Sequence, residues 1–301
     1  MRIGYVGDGL FATAAIQRLL ATHQVTTFTP ESDEAVNHGG AAAASTLAQL
    51  ARDADVIVVS LPTHSALRGV LFGSEGLAQG LSAGKIVVDQ TPGLPDDARA
   101  LAQELRNDGV VLLDAPIHSE RSDPSPELSV MTCGGSVDAF ESIRPVLALL
   151  CPNLVHCGES GSGRAAHLVV AAVAACNRLI TYECATVGVK NGLAFEHMAA
   201  VINKSSGANS AWARVLPVLG ERGHSADLTL GTALEELKLA SRLAMQCGAP
   251  LLFANLATAM FQSAASQFGA TGTVDEIARM FEASAAIDFT DPSTWVSARL
   301  A

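Results

Sequence analysis

Six short apolar runs carry the first half of the chain: RIGYVG at residues 2–7, VTTFT at 25–29, DVIVVSLP at 55–62, KIVVDQT at 85–91, VVLLDAP at 110–116 and ELSVMTC at 127–133. They alternate with helical stretches such as FATAAIQRLLATH and LPDDARALAQELRNDG. This alternation restricts the fold more than any other feature. A strand followed by a helix, repeated, builds right-handed crossovers and hence a parallel sheet covered on both faces. After about Gly161 the strand-like runs stop. The remainder reads as helices punctuated by KNGL, KSSGANS, QCGAP and FGATGTV, with apolar residues at helical spacing in TALEELKLASRLAMQ. With no internal repeat and no low-complexity linker, the boundary falls at GESGSG. The expectation is an α/β domain over 1–161, a doubly wound parallel sheet, and an all-helical domain over 162–301.

At 301 residues, 49% hydrophobic and 16% charged, the chain is able to bury two cores. A formal net charge of -11 without any basic run argues against nucleic acid or an anionic membrane surface as partner, since phosphate binding needs concentrated Lys and Arg. The chain enters an apolar strand at once, with no signal-peptide pattern, so a cytoplasmic protein is expected. The most apolar segment, LVVAAVAACNRLI, is interrupted by Asn177 and Arg178. It falls short of the roughly 20 apolar residues needed to span a bilayer and reads as a buried helix. Cysteines 133, 151, 157, 176, 184 and 247 form no CxxC pattern. Reduced thiols in or near the core are expected, rather than zinc ligands or a disulfide framework.

The first chemical signal is GYVGDGLFATAA. Gly7 and Gly9 follow an apolar strand and precede a helix as GxGxxA. The first glycine permits a tight turn, and the second lets backbone approach a pyrophosphate held at the positive end of the helix. A dinucleotide site is expected there. The second strand should end in an acid that reads the NAD ribose, or have an Arg nearby for NADP. Thr29 stands at that end, followed by Pro30, Glu31 and Ser32. Neither signature is present, and the choice between NAD and NADP stays open.

The segments GYVGDGLFATA, ADVIVVSLP, GKIVVDQTPGLPDDAR, VVLLDAPIHSE, ELSVMTCGG, GESGSGRAAH and LEELKLA, in that order, resemble the β-hydroxyacid dehydrogenase family. That family includes 3-hydroxyisobutyrate dehydrogenase and is related to 6-phosphogluconate dehydrogenase and the imine reductases. The resemblance implies an N-terminal Rossmann domain, a helical C-terminal domain, a long helix between them and a homodimer or higher homo-oligomer formed through the helical parts. It places the cofactor on Gly7, Asp8, Gly9, Leu10, Phe11 and Thr29, with Leu61, Pro62 and Thr91 toward the nicotinamide.

The same resemblance exposes three departures. Where the family continues from DAP into a Ser-Gly-Gly turn that holds a substrate carboxylate, this chain has Ile117, His118, Ser119 and Glu120. Where the long helix carries a catalytic lysine and, four residues on, an asparagine on the same face, His167 and Ala171 stand. Where a further lysine precedes DL, LEELKLA has Glu235 and Glu236. His167 is the candidate acid–base group, because imidazole titrates near neutrality. It is otherwise a histidine on a helix face, bonded to backbone or solvent. His118, Ser119 and Glu235 are candidate substrate contacts, with a plain loop and a solvated helix face as the bland readings. Arg121 and Arg164 are either anion ligands or solvated arginines.

An NAD(P)-dependent oxidoreductase acting on an alcohol or carbonyl is expected, with a small-molecule substrate in the cleft between domains that is not a short 3-hydroxy acid. The alternatives are an imine reductase, in which Glu235 attracts a cationic iminium, and a dinucleotide-binding protein without turnover.

Overall fold

A computed structural model describes residues 1–7, 9–28, 40–119 and 129–295. The chain divides into two compact units, Met1–His167 and Leu168–Ala301. Asp8, Thr29, Pro30, Glu31, Ser32, Glu120 and Arg121 lie outside the described residues.

The first unit is built on strands β1 (Arg2–Gly7), β2 (Gln24–Phe28), β3 (Ala42–Ala43), β4 (Val56–Ser60), β5 (Ile86–Asp89), β6 (Val111–Asp114), β7 (Ile117–Ser119), β8 (Ser129–Gly134) and β9 (Leu154–Gly158). Helices α1 (Gly9–Leu20), α2 (Leu47–Asp53), α3 (His64–Phe72), α4 (Pro95–Arg106) and α5 (Val137–Leu150) cover them. Strand order is β3-β2-β1-β4-β5-β6-β8-β7, with β9 against β8. The first six strands thus take the doubly wound order in which the chain reverses direction across the sheet between β1 and β4.

Side-chain alternation divides the core. Val56 and Val58 of β4 face a cluster with Ile16 and Leu19 of α1 and Phe140 and Leu147 of α5. Ile57 and Val59 face the opposite cluster, with Leu67 and Leu71 of α3 and Leu101 and Leu105 of α4. Both faces of the strand are therefore buried, which is why the parallel strands read as unbroken apolar runs.

One expectation needs correction. The sheet is not wholly parallel, because β8, the ELSVMTC run, lies antiparallel to β6 and β7. Asp114 faces Gly134 and Ile117 faces Met131, so the register continues across Ala115 and Pro116. Two residues are far too few for the crossover that neighbouring parallel strands require. β7 is therefore the prolongation of β6, interrupted at a proline that has no N–H to give to a ladder. His118 and Ser119 accordingly sit on a strand and not on a turn.

In the second unit no strand follows Gly158 among the described residues. Its helices are α6 (Ser162–Lys190), which starts in the first unit, then α7 (Phe195–Ile202), α8 (Ser210–Leu219), α9 (Leu230–Cys247), α10 (Leu252–Phe268) and α11 (Ala278–Ala285). α9 buries Leu230, Ala233, Leu234, Leu237, Ala240 and Ala244, one stripe at helical spacing. It ends at Gly248 in the left-handed conformation, φ 71°. Buried Arg178 is held by Tyr182, Ser225 and Asp275.

α6 runs 29 residues, well past the apolar segment read in the sequence. By length and composition it is able to cross a membrane, and 44% of its most apolar stretch is buried inside the protein. The cysteines also differ from expectation. All six are free, but Cys184 and Cys247 are exposed. Buried Cys133 has its thiol pushed up to about 12, chiefly by desolvation.

Candidate active site

In a doubly wound sheet, ligands bind beyond the carboxyl ends of the strands where the order reverses. Here that point lies between β1 and β4, which pair from Ile3 with Val56 to Gly7 with Ser60. Gly7 closes β1 so tightly that a Cβ on it would lie 2.5 Å from the Ser60 carbonyl oxygen. Gly9, Leu10 and Phe11 open α1 directly afterwards. Leu61 and Pro62 leave β4 on the same edge, and the Leu61 N–H donates to the Thr91 hydroxyl at 3.3 Å. Thr91 is fully buried. The nitrogen of the neighbouring Gln90 side-chain amide is buried with no partner among the described residues. These residues fit a dinucleotide: a tight strand-to-helix turn, a helix N-terminus for its phosphates and an uncommitted buried donor beside Thr91.

Strands β5 and β6 end in a pair of buried carboxylates, Asp89 beside Asp114. Each acts on the first turn of α6. Asp114 accepts the backbone N–H of Gly161 at 2.7 Å and of Arg164 at 2.9 Å, capping donors that the helix start leaves unpaired. Burial pushes the Asp114 carboxyl above its ordinary range, with those two N–H groups pulling the other way. Asp89 accepts from Arg164 Nη2 at 2.5 Å and from the Thr91 N–H at 2.9 Å. Thr132 of β8 donates its hydroxyl to the Gly163 carbonyl at 2.8 Å.

Arg164 is only 1% exposed. It is neither solvated nor free for an anion, because its guanidinium holds Asp89 and the Leu94 carbonyl. Removing a charge of this kind from water is tolerable only with such a partner.

His167 follows Arg164 by three residues on α6 and is 4% exposed. Its ring meets His118 of β7 edge-on, with centroids 5.8 Å apart and planes at 63°. The structure therefore brings together two sequence candidates from separate elements. Ser119 is next to His118 on β7, half-buried. Ala171 is buried one turn beyond His167. Glu235 lies on α9, its side chain 67% exposed and paired with Lys238 at 2.7 Å.

The sequence reading missed Asp114 and Asp89, the latter the partner of Arg164. A signal existed: VVD and LLD each close a buried apolar strand with an acid, and an acid at that depth requires a donor.

Comparison with known proteins bears on the same elements. Residues 2–158 match the model of the NAD binding domain of 6-phosphogluconate dehydrogenase, and residues 161–281 match that of the NAD-binding domain of NADP-dependent 3-hydroxyisobutyrate dehydrogenase. The chain belongs to the β-hydroxyacid dehydrogenase family. It is an NAD(P)-dependent oxidoreductase that uses a nicotinamide cofactor and a small-molecule substrate.

A probable mitochondrial 3-hydroxyisobutyrate dehydrogenase of Dictyostelium discoideum is 27% identical over 271 residues, 86% of this chain and 84% of that protein. The solved 3-hydroxyisobutyrate dehydrogenase of Mycobacterium tuberculosis with L-serine superposes with a TM-score of 0.81 at 21% identity, covering 93% of this chain and 98% of that one. An imine reductase variant from Myxococcus stipitatus in complex with NAD+ gives 0.60 at 20% identity, covering 92% and 98%. These two structures share the fold.

Proposed function

We propose that the protein transfers hydride between its nicotinamide cofactor and an alcohol or carbonyl compound other than a short 3-hydroxy acid, with His167 as the acid–base group. The observation that carries this reading is the buried His167 ring in edge contact with His118, on a helix turn fixed to the ends of β5 and β6. When bound, the cofactor supplies or accepts the hydride at the carbinol carbon. In the reducing direction His167 gives a proton to the carbonyl oxygen; in the oxidising direction it takes the hydroxyl proton. A histidine, ordinarily titrating near 6.5 against about 10.4 for lysine, shuttles protons more readily near neutrality but is a weaker fixed cation. The site thereby favours a substrate whose recognition does not depend on a carboxylate.

Gly7, Asp8, Gly9, Leu10, Phe11 and Thr29 would bind the nucleotide, and Leu61, Pro62, Gln90 and Thr91 its nicotinamide side. His118 and Ser119 would line the substrate pocket. Glu235 is a weaker candidate than its position in the family pattern implies, because its side chain is 67% exposed and pairs with Lys238 on the helix surface. That exposure and pairing weaken the argument for a cationic imine. We place the enzyme in the cytoplasm as a homodimer. Exposed Val169, Val173, Ile180 and Val187 lie on one face of α6 and suit a second copy.

Steady-state assays with NADH and NADPH against ketones, aldehydes, 3-hydroxyisobutyrate and cyclic imines test the reading. Turnover of a ketone or aldehyde, with little or none of the other two classes, is expected. Efficient oxidation of 3-hydroxyisobutyrate would overturn the substrate assignment, and imine reduction alone would replace the reaction.

A further inference from the structure

The turn that carries His167 is anchored from two sides by different means. β6 and β8 hold its backbone, through Asp114 to the N–H groups of Gly161 and Arg164 and through Thr132 to the Gly163 carbonyl. From β5 and its loop the hold passes through one side chain, Arg164, which reaches Asp89 with Nη2 and the Leu94 carbonyl with Nη1. Asp89 uses its other oxygen for the Thr91 N–H, and the Thr91 hydroxyl accepts the Leu61 N–H. An unbroken series of polar contacts thus runs from Leu61 through Thr91, Asp89 and Arg164 to the turn bearing His167. The glycine at 93 makes room for it: a Cβ there would lie 2.6 Å from Arg164 Nη1.

We propose that Arg164 is a positioning residue that locks the His167 turn to the Leu61–Thr91 segment, so that occupation of the cofactor side and the placement of His167 are linked. The inference rests on the assignment of Leu61 and Thr91 to the cofactor and of His167 to proton transfer. Arg164 itself touches neither reactant. Residues 164 and 167 are neighbours on one helix face, so a guanidinium fixed at Asp89 fixes the face on which the imidazole stands. Arginine suits the task, since its planar fork serves a carboxylate and a carbonyl together, where a lysine acts as a single point charge.

The test is backbone hydrogen exchange over residues 161–167 in the full-length protein, with NADH and NADPH as probes, in wild type, Arg164→Met and the double variant Asp89→Asn/Arg164→Met. The single change strands a buried carboxylate and lowers the thermal midpoint. The double change leaves no buried charge at this pair, and the new amide still offers an oxygen to the Thr91 N–H, so it is expected to fold. In both variants exchange at 161–167 should rise by on the order of 10-fold or more, as local opening becomes easier, while β1 and α1 keep wild-type protection. NADH or NADPH should slow exchange of that turn in wild type and fail to do so in the double variant. Arg164→Lys should recover part of the protection, which a loss of packing alone would not explain.

Protection of the turn within about twofold of wild type in the double variant, against the rise expected from easier opening, would overturn the proposal. So would an equal loss across the whole first unit, or a cofactor response that survives the double change. Because no readout needs turnover, a failed acid–base assignment shows separately, as retained activity in His167→Ala.

Discussion

At the scale of single residues, two histidines make opposite demands. If His167 moves the proton, His167→Ala should slow the chemical step by about 10²- to 10⁴-fold with little change in NADH or NADPH affinity. Alanine is the best helix former, so α6 should survive the change. Single-turnover kinetics on the first substrate found by the panel is the measurement. Full activity of the variant across the pH range would pass the role to His118 or another group.

His64, at the start of α3, tests electrostatics instead. Burial depresses its imidazolium below the ordinary value. Asp97 at 4.0 Å opposes that shift, while nearby Arg164 reinforces it. A folded value below the unfolded one of about 6.5 means that its share of stability is present above about pH 6.5 and is lost as pH falls through the depressed value. Wild type should therefore lose more thermal stability than His64→Gln between about pH 7 and pH 5. Parallel curves would show that the desolvation is unimportant.

At the scale of elements, the head of α6 depends on how closely backbones approach. A Cβ on Gly163 would collide with the Asp114 carbonyl oxygen and lie 2.6 Å from that of Thr132. Neither atom is able to yield as a side chain would. Gly163→Ala is expected to cost about 1–3 kcal/mol, the range for overpacking a closed site, measured by urea unfolding. Gly69, inside α3, has nothing within 4 Å of the place a Cβ would take. Gly69→Ala should accordingly stabilise by about 0.5–1 kcal/mol. If both glycines responded alike, the packing account of α6 would fail.

Elements also mark where sequence reading worked. Buried parallel strands announce themselves as unbroken apolar runs, because both faces are covered. β3 is two exposed residues and β9 lies no deeper than half-buried, so neither carried that signal. The reversed direction of β8 is a matter of tertiary register, invisible in its own residues. The glycine spacing at Gly7 and Gly9 was legible because it is local. The meeting of Asp89, Asp114 and Arg164 was not, since its members are far apart in the chain and become partners only through the sheet.

At the scale of the whole molecule, cofactor binding and folding should be coupled. A ligand bound only by the folded state contributes about 2.7 kcal/mol at 100 times its dissociation constant. Saturating NADH or NADPH should raise the thermal midpoint of the wild type. If the backbone at Gly9 meets the pyrophosphate as proposed, Gly9→Val, which puts a branched side chain there, should abolish that rise without unfolding the helical unit. A full ligand-induced shift in the variant would remove the glycine pair from the site. The apolar face of α6 makes a separate demand. If it seats a second copy, Val173→Asp should convert a dimer to a monomer in light scattering, and an unchanged mass would move the contact elsewhere.

Among the described strands β7 has a single neighbour, β8, and it carries His118 and Ser119 at half-buried positions. His167, by contrast, stands on a turn whose backbone and side chains are held from β5, β6 and β8. Mutations therefore meet unequal resistance across this site. Positions 118 and 119 stand half-buried on a strand with one described neighbour, so substitutions there should disturb less packing than substitutions in the turn. The His167 end, held by Asp89 and Asp114 and by the close-packed glycines at 93 and 163, tolerates little drift.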